Sequence, residues 1–134
     1  LPGVTVVHVT SARQMLAAVQ EAIRGASALI MAAAVADWEP ADFAQQKMKK
    51  VEGQQRLVLE LKKTPDILYE VRHEPLIKVG FAAESEDLIA NATEKLQKKN
   101  LDLIVANDIT ATDAGFIHRT GPVETVMRSS KFFR

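Results

Sequence analysis

The chain has 134 residues, 47% of them hydrophobic and 25% charged, a composition that folds around one core as a single domain. Its 17 basic and 17 acidic residues cancel to a net charge of +0, which excludes a bulk field able to hold nucleic acid or an anionic membrane. The absence of cysteine excludes disulfides, thiolate metal sites and cysteine nucleophiles, and is compatible with a reducing cytoplasm. His8, His73 and His118 are scattered and make no ligand pair at zinc spacing. The longest apolar run, residues 28–36, falls well short of the about twenty residues a membrane-spanning helix needs. The start carries neither a basic segment nor a cleavage site of signal-peptide type. With no initiator Met, and a strand expected almost at once, the sequence reads as a fragment of something longer.

In chain order, the β-branched residues 4–9 predict a short strand after Pro2-Gly3. Ser11 to Gln14 fits a capping box, Met15, Val19 and Ile23 recur at helical spacing, and Gly25 supplies a stop. Residues 28–36 read as a strand buried on both faces, which completes a strand–helix–strand unit. The polar stretch 42–55 reads as a mobile excursion returning through Leu57, Leu59 and Leu61, so an inserted hairpin is expected over residues 47–62. Thr64 as N-cap and Pro65 at the first helical position open a helix that runs to about His73 or Glu74, where Pro75 closes it.

Residues 77–83 form the next predicted strand. Ser85 caps a helix with Leu88, Ala92 and Leu96 on its core face, and Asn100 ends it in the left-handed conformation. Residues 101–106 and 123–127 complete the strands, the last following the turn Thr120-Gly121-Pro122. Alternating elements of this kind predict an α/β fold, a three-layer α/β/α Rossmann-like sandwich with a mostly parallel sheet and an inserted β-hairpin flap, all in one domain over residues 1–134.

Ligands in such folds bind outside the carboxyl ends of the strands. Asp37, Glu84, Asn107-Asp108 and the lysine-rich excursion all fall there. Each also suits a strand-end turn cap, and it is their convergence at one sheet edge that points to a site. Neither G-x-G-x-x-G nor G-x-x-x-x-G-K-[ST] occurs, so a nucleotide would have to be held by side chains. Lys95 and Lys99 share one helix face and could grip a polyphosphate, or could form a solvated lysine face where cations favour a helix C-terminus. Lys47, Lys49 and Lys50 suit a flap closing over triphosphate, or a plain solvated loop. Residues 65–68 offer backbone N–H groups at a helix start, and Trp38 and Phe81 are the aromatics best placed to touch a ligand, with core packing as the ordinary alternative.

Taken together, residues 32–38 (AAAVADW), 47–50 (KMKK), 64–68 (TPDIL), 79–84 (VGFAAE) and 106–109 (ANDI) resemble, in order and spacing, the phosphopantothenoylcysteine synthetase family, the CoaB half of a bifunctional coenzyme A biosynthesis protein. The likeness runs from Val4 to about Phe116. It implies a ligase that joins 4'-phosphopantothenate to cysteine through an acyl-cytidylate, with CTP as co-substrate and Mg2+ or Mn2+ as cation. It implies nucleotide contacts at Met31, Ala32, Ala33, Asp37, Lys47, Pro65, Asp66, Ile67, Leu68, Phe81, Lys95 and Lys99. Lys47 is expected to close over the reacting phosphate, Asp37 to hold the metal or the ribose-phosphate region, Lys95 and Lys99 to hold the outer phosphates, and Asn107 to line the pocket.

The resemblance also implies a cytoplasmic homodimer, fused to or associated with a phosphopantothenoylcysteine decarboxylase, with no nucleic acid or membrane partner. Two departures are visible. The family's glycine-rich start and phosphopantothenate motif have no counterpart, and residues 116–134 match only loosely, so nucleotide binding with impaired turnover is expected of this chain. ATP in place of CTP, a noncatalytic dimerisation domain and an S-adenosylmethionine-dependent methyltransferase are the competing readings; the missing glycine-rich loop argues against the last.

Overall fold

A computed structural model of the chain describes residues 2–42, 53, 55–108 and 123–128. Its elements are α1 (Ala12–Ala22), β1 (Ala28–Met31), β2 (Trp38–Pro40), β3 (Leu61–Lys63), α2 (Ile67–Glu70), β4 (Ile77–Glu84), α3 (Leu88–Lys98), β5 (Leu103–Asp108) and β6 (Val123–Met127). Four strands form one sheet in the order β1-β4-β5-β6, and β2 pairs with β3 in a separate ribbon. The β1–β4 and β4–β5 ladders are parallel, whereas β6 runs antiparallel to β5 at the edge of the described sheet.

This is the expected Rossmann-like α/β arrangement with an inserted hairpin. Both parallel crossovers step across the sheet in the same direction, and right-handed crossovers of that kind deliver their helices to one face. Accordingly Met31, Ile67, Leu68, Ala92, Leu96, Leu101, Ile104 and Ala106 form one buried cluster, and α1 packs Met15, Leu16 and Val19 against it. On the opposite face Ile30, Ile77, Phe81 and Met127 are exposed.

Local chemistry explains where the expected boundaries hold. Ser11 caps α1 by accepting from the Gln14 N–H, Gln14 reaches back to the Thr10 N–H at 2.8 Å, and Gly25 leaves the helix at φ 80°. Asn100 ends α3 with φ 51°; its side-chain amide donates to the Arg72 carbonyl and accepts from the Arg128 guanidinium, which repays the strained backbone.

Other expectations are corrected. Residues 4–9 form no strand and are exposed, since among the described residues no ladder reaches them and β propensity without a partner does not order a strand. The segment 28–36 is a strand only over Ala28–Met31, and it is not buried on both faces: Met31 packs into the core while Ile30, on the other face, is 68% exposed. The expected hairpin over 47–62 is seen, among the described residues, as the pairing of β2 with β3, Trp38 opposite Lys63; Leu57 and Leu59 lie exposed outside this ladder, and 47–52 and 54 fall outside the described residues. Residues 43–52, with Lys47, Lys49 and Lys50, and the tail beyond 128, fall outside the described residues.

Two helix starts also move. Thr64 does not cap α2, because its hydroxyl donates to the Ala36 carbonyl and its N–H to Asp37 O, stapling the two ends of the hairpin insertion. Asp66 is the cap instead, accepting from the Tyr69 N–H, and α2 stops at Glu70 ahead of a turn leading to Pro75. At α3 the cap position is Asp87 at φ 48°, with no side-chain bond, rather than Ser85; Asn91 secures this entry by donating to the Glu86 carbonyl.

The amino ends of β4 and β5 are tied by two almost fully buried ionisable residues, Lys78 and Asp102, each 1% exposed. Asp102 Oδ2 accepts from the Lys78 N–H at 2.8 Å, the Asp102 N–H donates to Lys78 O, and the Lys78 ammonium donates to the carbonyls of Glu74 and Leu76. Replacing Asp102 by alanine strands the buried Lys78 N–H. The Asp102→Ala variant is expected to lose about 1–3 kcal/mol of unfolding free energy in urea titrations, and Asp102→Asn less, since its amide oxygen can still accept from Lys78. Equal stability of all three proteins would contradict this.

Gly80 sits in the middle of β4 where a Cβ would come within 2.8 Å of Leu101 Cδ1 and 3.3 Å of Leu68 Cδ1, both on buried side chains. Gly80→Ala is therefore expected to cost about 1–3 kcal/mol through overpacking, read as a lower thermal midpoint. An unchanged or raised midpoint would show that the core yields there.

Candidate functional site

The staple between Thr64 and the Ala36-Asp37 backbone brings the carboxyl side of β1 against the start of α2. With the end of β4 and the last turns of α3, these segments enclose a cleft of about 240 Å3. Its walls are Met31, Ala33, Ala34, Val35 and Asp37 from the β1 side, residues 64–68 from the α2 entry, Phe81, Ala82 and Ala83 from β4, and Lys95 and Lys99 from α3. That volume is below the roughly 300–1,000 Å3 of ordinary ligand pockets, so these walls suit part of a nucleotide, such as its phosphates, rather than the whole.

Of the expected contact residues, the cleft unites Met31, Ala33, Asp37, Pro65, Asp66, Ile67, Leu68, Phe81, Lys95 and Lys99. Ala32 is exposed between two lining residues without lining the cleft itself. Asn107 lies on β5 in register with Ala83, one strand further from the opening. Lys47 lies outside the described residues.

The lining falls into two chemistries. Small side chains at 33, 34, 82 and 83 leave room for close approach to backbone groups, while the α2 entry adds N–H groups that a first helical turn leaves without intrahelical acceptors. The charged wall is α3. Lys95 binds Glu84 Oε1 at 2.5 Å, and Lys99 binds Asp66 Oδ2 at 3.0 Å. Glu84 is the last residue of β4 and its side chain is 11% exposed. These two ion pairs were invisible to spacing arguments, which put the lysines on one face but could not name their partners across the fold.

Trp38 stands outside the lining, half-exposed on the hairpin, with the Lys63 ammonium 5.7 Å from its ring centroid. Arg13 of α1 binds Glu39 at 3.2 Å and so fastens the hairpin base to the body. Among the described residues no group of three or more His, Asp or Glu could hold a metal ion alone. Asp37 and Asp66 supply carboxylates at the cleft, Asp66 being paired with Lys99, a donor set that fits Mg2+, which is commonly held by one or two carboxylates together with substrate phosphates.

A family model described as the DNA/pantothenate metabolism flavoprotein C-terminal domain matches residues 1–132. The chain is 46% identical over 112 residues to the coenzyme A biosynthesis bifunctional protein CoaBC of Bacillus subtilis (strain 168), covering 82% of this chain and 27% of that protein. It is 38% identical over 130 residues to a cysteine/cysteine sulfinic acid decarboxylase of an unknown prokaryotic organism, covering 95% of this chain and 36% of that one. A crystal structure of the C-terminal domain of coenzyme A biosynthesis bifunctional protein CoaBC superposes with a TM-score of 0.67 at 32% identity, covering 93% of this chain and 57% of that chain. The chain thus spans about a third or less of the curated relatives' length and belongs to the DNA/pantothenate metabolism flavoprotein C-terminal domain family.

Proposed function

We propose that the cleft binds the phosphates of a nucleoside triphosphate and serves a ligase that joins 4'-phosphopantothenate to cysteine, with CTP as co-substrate and ATP as the alternative. The observation that supports this most directly is the gathering of Asp37, residues 65–68, Phe81, Lys95 and Lys99 around one opening at the carboxyl ends of β1 and β4. The relatives named for coenzyme A biosynthesis support the same substrate class. They do not favour the methyltransferase or the noncatalytic domain.

In the proposed reaction the phosphopantothenate carboxylate attacks the α-phosphorus and pyrophosphate leaves, giving a mixed acyl-nucleotide anhydride. The cysteine amine then attacks the acyl carbon, and CMP leaves. A carboxylate is a poor electrophile until activated in this way, and charge gathers on the phosphate oxygens as the bond to pyrophosphate breaks. Lys95 and Lys99 would bind the outer phosphates, and Asn107 and Lys47 keep the pocket-lining and flap roles that the resemblance implies. Asp37 would hold Mg2+, or Mn2+, whose chemistry is to neutralise charge on the phosphates.

The proposal includes a cytoplasmic homodimer working with a decarboxylase unit. Among the described residues no helix is long and apolar enough to cross a membrane.

Calorimetric titration of the chain with Mg-CTP and Mg-ATP, beside a Lys95→Ala/Lys99→Ala variant, tests the site. Saturable binding that favours CTP is expected, weakened at least about tenfold in the variant, as follows from losing two charge-assisted hydrogen bonds. Binding indifferent to both lysines, or no binding of either nucleotide, would overturn it.

A further inference from the structure

We propose that Glu84 and Asp66 are positioning residues that compete with the ligand for Lys95 and Lys99, so that only a polyphosphate, and not a monophosphate, displaces them effectively. The inference rests on the nucleotide reading of the cleft and names how that site selects by charge. Asn91, Lys95 and Lys99 follow at four-residue intervals along one face of α3. Glu84 engages two of them, with Oε1 on Lys95 and Oε2 accepting from Asn91 Nδ2 at 3.3 Å. Asp66 divides its oxygens in the same manner: Oδ1 accepts from the Tyr69 N–H and caps α2, while Oδ2 binds Lys99.

Each carboxylate therefore has a second anchor that does not involve its lysine. The ammonium groups, on flexible stems and with side chains 44% and 24% exposed, are the partners free to turn away. An exchange of lysine from carboxylate to phosphate can proceed while the α2 cap and the α3 entry keep their bonds. Charge decides whether it does. Glu84 and Asp66 pair with Lys95 and Lys99, and Asp37 lines the same cleft, so these five groups carry no net positive charge to attract an anion. A ligand gains only by offering the lysines more negative charge than a carboxylate does, which a triphosphate achieves and a nucleoside monophosphate barely achieves. The same carboxylates take the lysines back once pyrophosphate has departed.

The test compares CTP and CMP affinities, in the presence of Mg2+, for the whole chain and for Glu84→Gln and Asp66→Asn. Both amides preserve shape: Gln can still accept from Asn91, and Asn is a good N-cap. Each substitution is expected to tighten CMP about two- to fivefold, the scale of a partly exposed ion pair, and to tighten CTP less, so the CTP-to-CMP ratio shrinks. A residue that merely supported the fold would move affinities the other way. Weaker binding of both ligands, or an unchanged ratio, would overturn the proposal.

Labelling with acetic anhydride, read by peptide mass spectrometry on the ligand-free proteins, separates this from failure of the nucleotide reading. Lys95 should be acetylated about threefold faster in Glu84→Gln, and Lys99 in Asp66→Asn, with Lys98 unchanged as the internal reference; this again follows from releasing one partly exposed pair. If neither CTP nor CMP binds the unaltered chain, the nucleotide reading falls and the competition for phosphate falls with it. If the lysine labelling rates do not respond, the tethers themselves are refuted whatever the chain binds.

Discussion

The fold depends on how the amino ends of β4 and β5 are locked together. The Asp102 N–H donates to Lys78 O across the two strands, and the Asp102 carboxylate accepts from the Lys78 N–H in return. The Arg128 N–H adds β6 by donating to Asp102 O, and the Lys78 ammonium adds the turn after α2 through Glu74 and Leu76. In a ladder with two-residue periodicity, one step of slippage would turn Gly80 and Ala82 away from the core and bring Phe81 into it. Burying two ionisable side chains is a poor source of net stability but a strong source of register. The reward lies at the far end of the strands, where a correct register sets Glu84 under Lys95.

The cleft is a consequence of that alignment together with small residues. Gly80 lets Leu68 and Leu101 close against the sheet, which brings α2 and its cap Asp66 down to the level of α3. Only then can Lys99 reach Asp66. The charged wall and the apolar core are thus two aspects of one packing arrangement: the α3 face that buries Ala92 and Leu96 adjoins the face that presents Asn91, Lys95 and Lys99.

Sequence patterns made visible whatever depends on neighbours along the chain. The Ser11 cap, the left-handed Asn100, the helical stripe of Leu88, Ala92 and Leu96, and the strand at 123–127 all rest on local chemistry, and each is found where the pattern puts it. Failures cluster where a distant group intervenes. Thr64 has the chemistry of a cap, but the Ala36 carbonyl, 28 residues away, claims its hydroxyl, and Asp66 takes over. Residues 4–9 have strand composition without a ladder, and the run at 28–36 was read as central when β1 is an edge of the described sheet. For the site, family motifs marked residues that do converge, yet the counter-charges on Lys95 and Lys99 belong to other elements and emerge only from the fold.

The Thr64 staple has a further consequence for how this domain tolerates change. Because Ala36-Asp37 and Thr64 are bonded directly, everything between them forms a closed loop hung from a fixed base. The entropic penalty of such a loop rises only with the logarithm of its length, by about 0.6 kcal/mol per doubling. Insertions or deletions within it leave the geometry at its root almost unaffected. The cleft can therefore keep its shape while the chain beyond the β2–β3 ribbon is lengthened, shortened or rewritten, so that one frame can carry different insertions.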